Sequence, residues 1–246
     1  MKYYLMSDIH GRFDKFEKAL EKWNTDDTLL VMGDLIDRGP QSLEVVRKCM
    51  ELKKEYGDKV VILKGNHEEM FCDWFFKIPQ EIYSSYYSST HSETLRSFIG
   101  DKKFKKLSRQ NRAMEIVRNF KPELNFLNFL DEFYEAPGFI AVHAGLDLTL
   151  NDWKDSPSSI LLWEREDFYN SDKAPEKRVF FGHTPTYYLN GHSSFNFSPW
   201  FSHDGMKVGI DGAASMSLEK NGHEYKGQLN TLLVSENGEI LNTLSF

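Results

Sequence analysis

Residues 29–40 read "LLVMGDLIDRGP", an apolar run that stops abruptly in two aspartates and an arginine. Leu29, Leu30, Val31 and Met32 fit a short strand buried on both faces. Gly33 lets the backbone turn, and Asp34, Asp37 and Arg38 arrive together before Pro40. Carboxylates at the carboxyl end of a buried strand sit where open α/β sheets place their chemistry. Asp and Gly are also ordinary turn formers, so this stretch alone leaves a metal or phosphate site level with a plain turn.

The same grammar recurs on both sides. Upstream, "KYYLMS" runs into Asp8, Ile9, His10 and Gly11, followed by a helical pattern in which Phe13, Phe16, Leu20 and Trp23 share one face. Downstream, a helix over Ser42–Tyr56 with Leu43, Val46 and Met50 inward leads to the strand "KVVILKG" and then Asn66, His67 and Glu68. Strand, helix, strand, helix, strand is the order of βαβ units with a partly parallel sheet. Residues 78–135 break the rhythm with an aromatic, serine-rich segment and the helical "LNFLNFLDEFY", read as a helical insertion or cap within one domain spanning 1–246. Short strands then return in "FIAVHAG", "RVFFGHT", "KVGIDG", "LNTLLVSE" and "EILNTLSF", with Glu236–Glu239 turning the last pair.

Bulk properties bound the setting. The 246 residues suffice for a sizeable core, and 40% hydrophobic with 27% charged residues is ordinary for a globular protein. A net charge of −7 argues against a general nucleic-acid binder. Cys49 and Cys72 give neither a disulfide framework nor zinc spacing, and the apolar start is too short for a signal peptide or a membrane span. The expectation is a cytoplasmic protein with no membrane partner.

Several strands thus finish in residues able to bind a metal or phosphate: Asp8 and His10; Asp34, Asp37 and Arg38; Asn66 and His67; His143; His183. The alternation in Asp8-Ile9-His10 points both side chains the same way if strand geometry persists. Carboxylate, imidazole and amide oxygen together suit borderline-hard divalent ions such as manganese, iron or zinc. Two such ions about 3.5–4 Å apart, bridged by a carboxylate, clamp a phosphoryl group.

"SDIHG", "GDLIDRGP", "GNHEE", "VHAG" and "FGHTP" occur in the order and spacing of the phosphoprotein phosphatase branch of the calcineurin-like metallophosphoesterases. The chain resembles bacterial and phage serine/threonine phosphatases and symmetrical diadenosine tetraphosphatases, from Met1 to about residue 215 and weakly over 78–135. The resemblance implies an α/β fold of four layers, a central mixed β-sandwich flanked by helices. It implies Asp8 and His10 as ligands of a first metal, Asp34 as the bridge, and Asn66, His143 and His183 as ligands of a second. Manganese is the favoured ion, with iron, zinc, nickel or cobalt as others. His67 resembles the general acid, Asp37 its orienting partner, Arg38 a phosphate clamp and Arg165 the second arginine, although Arg165 can also pair with Glu164 or Glu166. Activated hydroxide then attacks phosphorus directly.

The resemblance implies a phosphorylated protein as substrate, with a dinucleoside polyphosphate as the runner-up and a non-catalytic phospho-binding protein as a remote third. Ala144 stands where eukaryotic members have glycine, and Asp211 in "GIDGAAS" is taken as structural. His91, His192, His203 and His223 are read as surface or loop residues, and Lys102–Lys106 as a solvated helix face. Glu68 is open between supporting the site and capping a helix, and Tyr83, Tyr86 and Tyr87 between packing and base stacking.

Overall fold

The structure is a computed structural model that describes residues 1–76, 89–192, 194–220 and 222–246. The strands are β1 (Lys2–Met6), β2 (Thr28–Val31), β3 (Val60–Ile62), β4 (Phe133–Glu135), β5 (Phe139–Val142), β6 (Arg178–Phe181), β7 (Trp200–Phe201), β8 (Lys207–Gly209), β9 (Ser217–Lys220), β10 (His223–Lys226), β11 (Asn230–Ser235) and β12 (Ile240–Ser245). The α-helices are α1 (Phe13–Leu20), α2 (Ser42–Tyr56), α3 (Asn66–Phe76), α4 (Ser89–Ile99), α5 (Asp101–Lys106), α6 (Arg109–Asn119), α7 (Lys121–Asn128), α8 (Ser158–Trp163), α9 (Glu166–Tyr169) and α10 (Thr186–Leu189).

Two mixed five-stranded sheets form the centre. The first runs β12-β11-β1-β2-β3, and the second β4-β5-β6-β8-β7. Within the first, β1, β2 and β3 are parallel while β11 and β12 are antiparallel additions. Within the second, β5, β6 and β8 are parallel and β4 and β7 are antiparallel edges. Alternate residues of the strands face each way, and the core divides accordingly. Tyr3, Leu5, Leu30, Met32, Phe139, Phe180 and Leu232 fill the space between the sheets. Tyr4, Met6, Leu29 and Val31 face the opposite way, against Phe16, Val46 and the helices of the first sheet. Ile140, Val142, Val179 and Phe181 meet Leu161, Leu162 and Phe168 of α8 and α9. Helix, sheet, sheet, helix is the four-layer arrangement expected from the sequence.

Parallel strands within a sheet deliver their carboxyl ends to one edge. The expected helical character of 78–135 holds in its described part, where Leu95, Phe98, Phe104, Ile116 and Leu124 share the core beneath α2 and α3. The boundaries differ. The helix read over "LNFLNFLDEFY" stops at Asn128, and Phe133–Glu135 pairs with β5 instead. Asp131 first bridges to Leu63 at the end of β3, and Tyr134 then packs against Tyr3, so sheet pairing overrides local helix propensity. Tyr83, Tyr86 and Tyr87 lie outside the described residues. Cys49 and Cys72 are both buried. No helix among the described residues is long and apolar enough to cross a membrane.

Candidate active site

The turns after β1, β2, β3, β5 and β6 converge, and the backbone is unusual where they do. Among the described residues, eight non-glycine residues have positive φ, and six of them are Asp8, His10, Asp34, Asp37, Arg38 and His183. Left-handed backbone costs about 1–2 kcal/mol per such residue and persists only where the surroundings enforce it. Two glycines permit the close approach. A Cβ on Gly33, at φ 85°, would lie 2.6 Å from the backbone nitrogen of Gly65. A Cβ on Gly182 would lie 2.1 Å from Asp8 Oδ2.

Asp8, His10, Asp34, Asn66, His143 and His183 are all buried and face one another. His10 Nε2 lies 3.4 Å from Asp34 Oδ2 and 3.9 Å from Asp8 Oδ1. His143 Nε2 lies 3.4 Å from Asp34 Oδ1. His143 Nε2 and His183 Nδ1 each stand 3.0 Å from Asn66 Oδ1. The far ring nitrogens set the tautomers. His10 Nδ1 donates to the Ile36 carbonyl at 2.8 Å and His143 Nδ1 to that of Met32 at 2.9 Å. In neutral rings the opposite nitrogens then turn lone pairs, not protons, toward carboxylate and amide oxygens. Acceptors facing acceptors need a cation between them. This donor set fits one, and His10–Asp34–His67 and Asp34–His143–His183 each form a group able to hold a metal ion.

Electrostatics agree. Burial, then Arg38, pushes His10 down to about 3, and burial, then His143, pushes His183 down to about 2, so both rings are neutral. Burial and the nearby Asp34 charge raise Asp8 to about 7. Burial also acts upward on Asp34, but the imidazoles around it, first His143 and then His67, outweigh it and hold its carboxyl well below the usual range.

His67 stands beside this cluster with its Nδ1 2.7 Å from Asp37 Oδ2. Its Nε2 is 3.8 Å from Asp34 Oδ2 and 3.4 Å from Arg38 Nη2. Burial opposes a charged imidazole, yet Asp34 and the Asp37 hydrogen bond raise His67 to about 9. Burial likewise acts upward on Asp37, but hydrogen bonds from His67 and His91 carry it down to about 2.

Arg38 and Arg165 are exposed and line one cleft of about 600 Å³ with His183, Pro185, Tyr188 and His192. Arg165 does not pair with Glu164 or Glu166 through its guanidinium; Nη1 donates to the His183 carbonyl at 3.0 Å and to Thr184 Oγ1 at 3.1 Å. The Trp163 ring lies 6.3 Å from that of His183, and its indole N–H donates to Glu69 at 2.7 Å.

Three residues differ from or sharpen the sequence reading. His91 is not a surface residue: it is buried, and its Nδ1 lies 2.6 Å from Asp37 Oδ2. The apolar Leu95, Phe98 and Ile99 that bury α4 against α2 and α3 signal an inward face, and four residues back from Leu95 that face carries His91. Glu68 is fully buried and accepts from the backbone N–H groups of Asp34, Leu35, Ile36 and Gly65, tying the two turns together. Asp211 is buried near Asp8, its Oδ1 accepting from Ala213 N–H at 2.7 Å, and burial with the Asp8 charge raises it well above the usual range. His192, His203 and His223 are exposed, as are Lys102, Lys103, Lys105 and Lys106.

The chain is similar to several known proteins. A symmetrical bis(5'-nucleosyl)-tetraphosphatase of Buchnera aphidicola is 45% identical over 71 residues, 28% of this chain and 24% of that protein. One from Delftia acidovorans is 41% identical over the same length. The match therefore spans about a quarter of these curated relatives. Among solved structures, a serine/threonine phosphatase from Saccharomyces cerevisiae covers 100% of this chain and 80% of its own, with TM-score 0.59 and 16% identity. A cold-active protein-tyrosine phosphatase of a Shewanella species covers 99% and 80%, with TM-score 0.58 and 15% identity. At such identities the likeness speaks for the fold. The sequence profile of the calcineurin-like phosphoesterases matches residues 1–223, so the chain belongs to the calcineurin-like phosphoesterase family.

Proposed function

We propose that this chain hydrolyses phosphate esters at a pair of divalent cations, with protein phosphoserine or phosphothreonine as the preferred substrate. Asp8 and His10 would hold one cation, Asn66, His143 and His183 the other, and Asp34 both. Manganese is the ion we favour, and the oxygen and imidazole donors also accept iron, zinc, nickel or cobalt. Bound divalent cations supply Lewis acidity toward phosphoryl oxygens and bring the pKa of water toward neutrality.

The chain's own groups do the rest. Arg38 and Arg165 present planar forks of donors to phosphate oxygens in the shared cleft. His67 gives its Nε2 proton to the departing oxygen, and Asp37 holds the ring by Nδ1. The observation that carries the reading is this His67–Asp37 pair, set beside the ligand cluster with the imidazole raised to about 9. A proton donor matters most for a poor leaving group such as a serine alkoxide.

A second reading, hydrolysis of a dinucleoside polyphosphate, is favoured by the names of the relatives and by the cleft wall. Tyr188 and His192 form an edge-to-face pair 4.1 Å apart beside the arginines, a surface able to meet a nucleobase. Product analysis with manganese-loaded protein separates the two. The first reading expects phosphate from a phosphopeptide and little ADP from diadenosine tetraphosphate; the reverse would replace it by the second.

A further inference from the structure

Asp37 carries more than one imidazole. His67 Nδ1 at 2.7 Å and His91 Nδ1 at 2.6 Å both reach Oδ2, while Thr94 Oγ1 donates to Oδ1 at 2.5 Å. His91 and Thr94 lie one turn apart on α4, far in sequence from both members of the pair they touch. Thr94 Oγ1 also accepts from the Asp37 backbone N–H at 2.8 Å, so α4 grips this residue at main chain and side chain alike. An ionised carboxylate offers about four lone-pair directions. Here both oxygens are engaged from two sides, and rotation of the carboxylate would break the contacts with His67 and α4 together.

We propose that His91 is a positioning residue for proton delivery by His67, fixing the Asp37 carboxylate so that the His67 ring points Nε2 at the departing oxygen. This rests on the phosphoesterase reading above. The rings of His67 and His91 are tilted with centroids 5.8 Å apart, and His91 is not among the described residues that line the arginine cleft. Its action therefore runs through Asp37 and not through contact with substrate. With the His91 N–H gone, Asp37 Oδ2 keeps one donor in a buried space and the carboxylate gains freedom to turn.

The test compares two esters on the manganese-loaded full chain. An alkyl phosphate needs its leaving group protonated, whereas a nitrophenyl phosphate needs this far less. His91→Leu, which keeps bulk and removes the donor, is expected to lower kcat for the alkyl ester roughly tenfold or more relative to the nitrophenyl ester, within the range general acids contribute. His91→Asn, whose amide nitrogen stands near the place of Nδ1, is expected to restore most of that ratio. Should His91→Leu fail to fold by circular dichroism, His91→Ala serves the same comparison. An equal loss on both esters, an unchanged ratio, or no recovery in His91→Asn would overturn the positioning role. Failure of the unsubstituted chain to hydrolyse either ester would instead remove the phosphoesterase reading, and this role with it.

Discussion

Asp34 is the residue on which most of the candidate chemistry depends, since His10, His67 and His143 all lie within 4 Å of its carboxylate. Asp34→Asn removes the charge those rings surround and is expected to abolish turnover of nitrophenyl phosphate in a steady-state assay. His67→Asn is expected to hurt an alkyl ester most, which a leaving-group series would show. The His67–Asp37 pair also makes ion-free stability depend on pH. His67 is raised from 6.5 to about 9, so its contribution is full below 6.5 and lost as pH rises through about 9. Asp37 is lowered from 3.8 to about 2, so its contribution is present above 3.8 and lost as pH falls through about 2. Urea unfolding of chelated protein is thus expected to show this contribution at its maximum between 3.8 and 6.5, and Asp37→Asn to remove it.

Asp8, raised to about 7, must ionise to bind a cation, so manganese binding is expected to release more protons at pH 6 than at pH 8. Calorimetry in buffers of different ionisation enthalpy measures that number. At this same scale the sequence was most legible. Asp8, His10, Asp34, Asn66, His143 and His183 each follow an apolar strand, and strand ends can be read locally. His91 was hidden because its partner is 54 positions away and its helix lies beyond a break in the βαβ rhythm.

The elements that present these residues are short turns held from behind. Glu68, in the first turn of α3, accepts from the turn after β2 as well as from Gly65, so one carboxylate sets the spacing of two strand ends. Glu68→Gln keeps the shape but replaces one acceptor oxygen by a donor amide facing backbone N–H groups. The expected cost is about 1–3 kcal/mol in chemical denaturation, the range for a buried polar group left unsatisfied, with weaker manganese binding alongside. The sequence left Glu68 between two readings because its contacts lie 33 and 34 positions upstream. The helix over residues 124–134 went wrong for a related reason: Phe and Leu spacing suits a helix locally, while Leu63 and Tyr3 reward a strand from a distance.

Across the whole molecule, the candidate ligands come from both sheets. Asp8, Asp34 and Asn66 follow strands of the first, and His143 and His183 follow strands of the second. A partly parallel sheet was legible from strand and helix order, and the four layers from the family resemblance; the antiparallel edges β4 and β7 and the β9–β10 hairpin were not, being two to four residues long without strong alternation. Cations held by these candidate ligands would bind the folded state alone and are expected to raise the melting temperature with concentration, by RT ln(1 + [L]/Kd). Leu30→Ala in the layer between the sheets is expected to cost about 2–5 kcal/mol. Because that layer sets the distance between the two groups of candidate ligands, the same change is expected to weaken manganese affinity in calorimetry.

Trp163, beside His183, gives this architecture an intrinsic optical reporter. A paramagnetic ion settling next to that imidazole would dim indole emission, and a diamagnetic one would not, so occupancy becomes readable without a label or a turnover assay. With five tryptophans in the chain, Trp163→Phe identifies the source: the manganese-dependent part of the quench should vanish with that ring and survive the loss of any distant one.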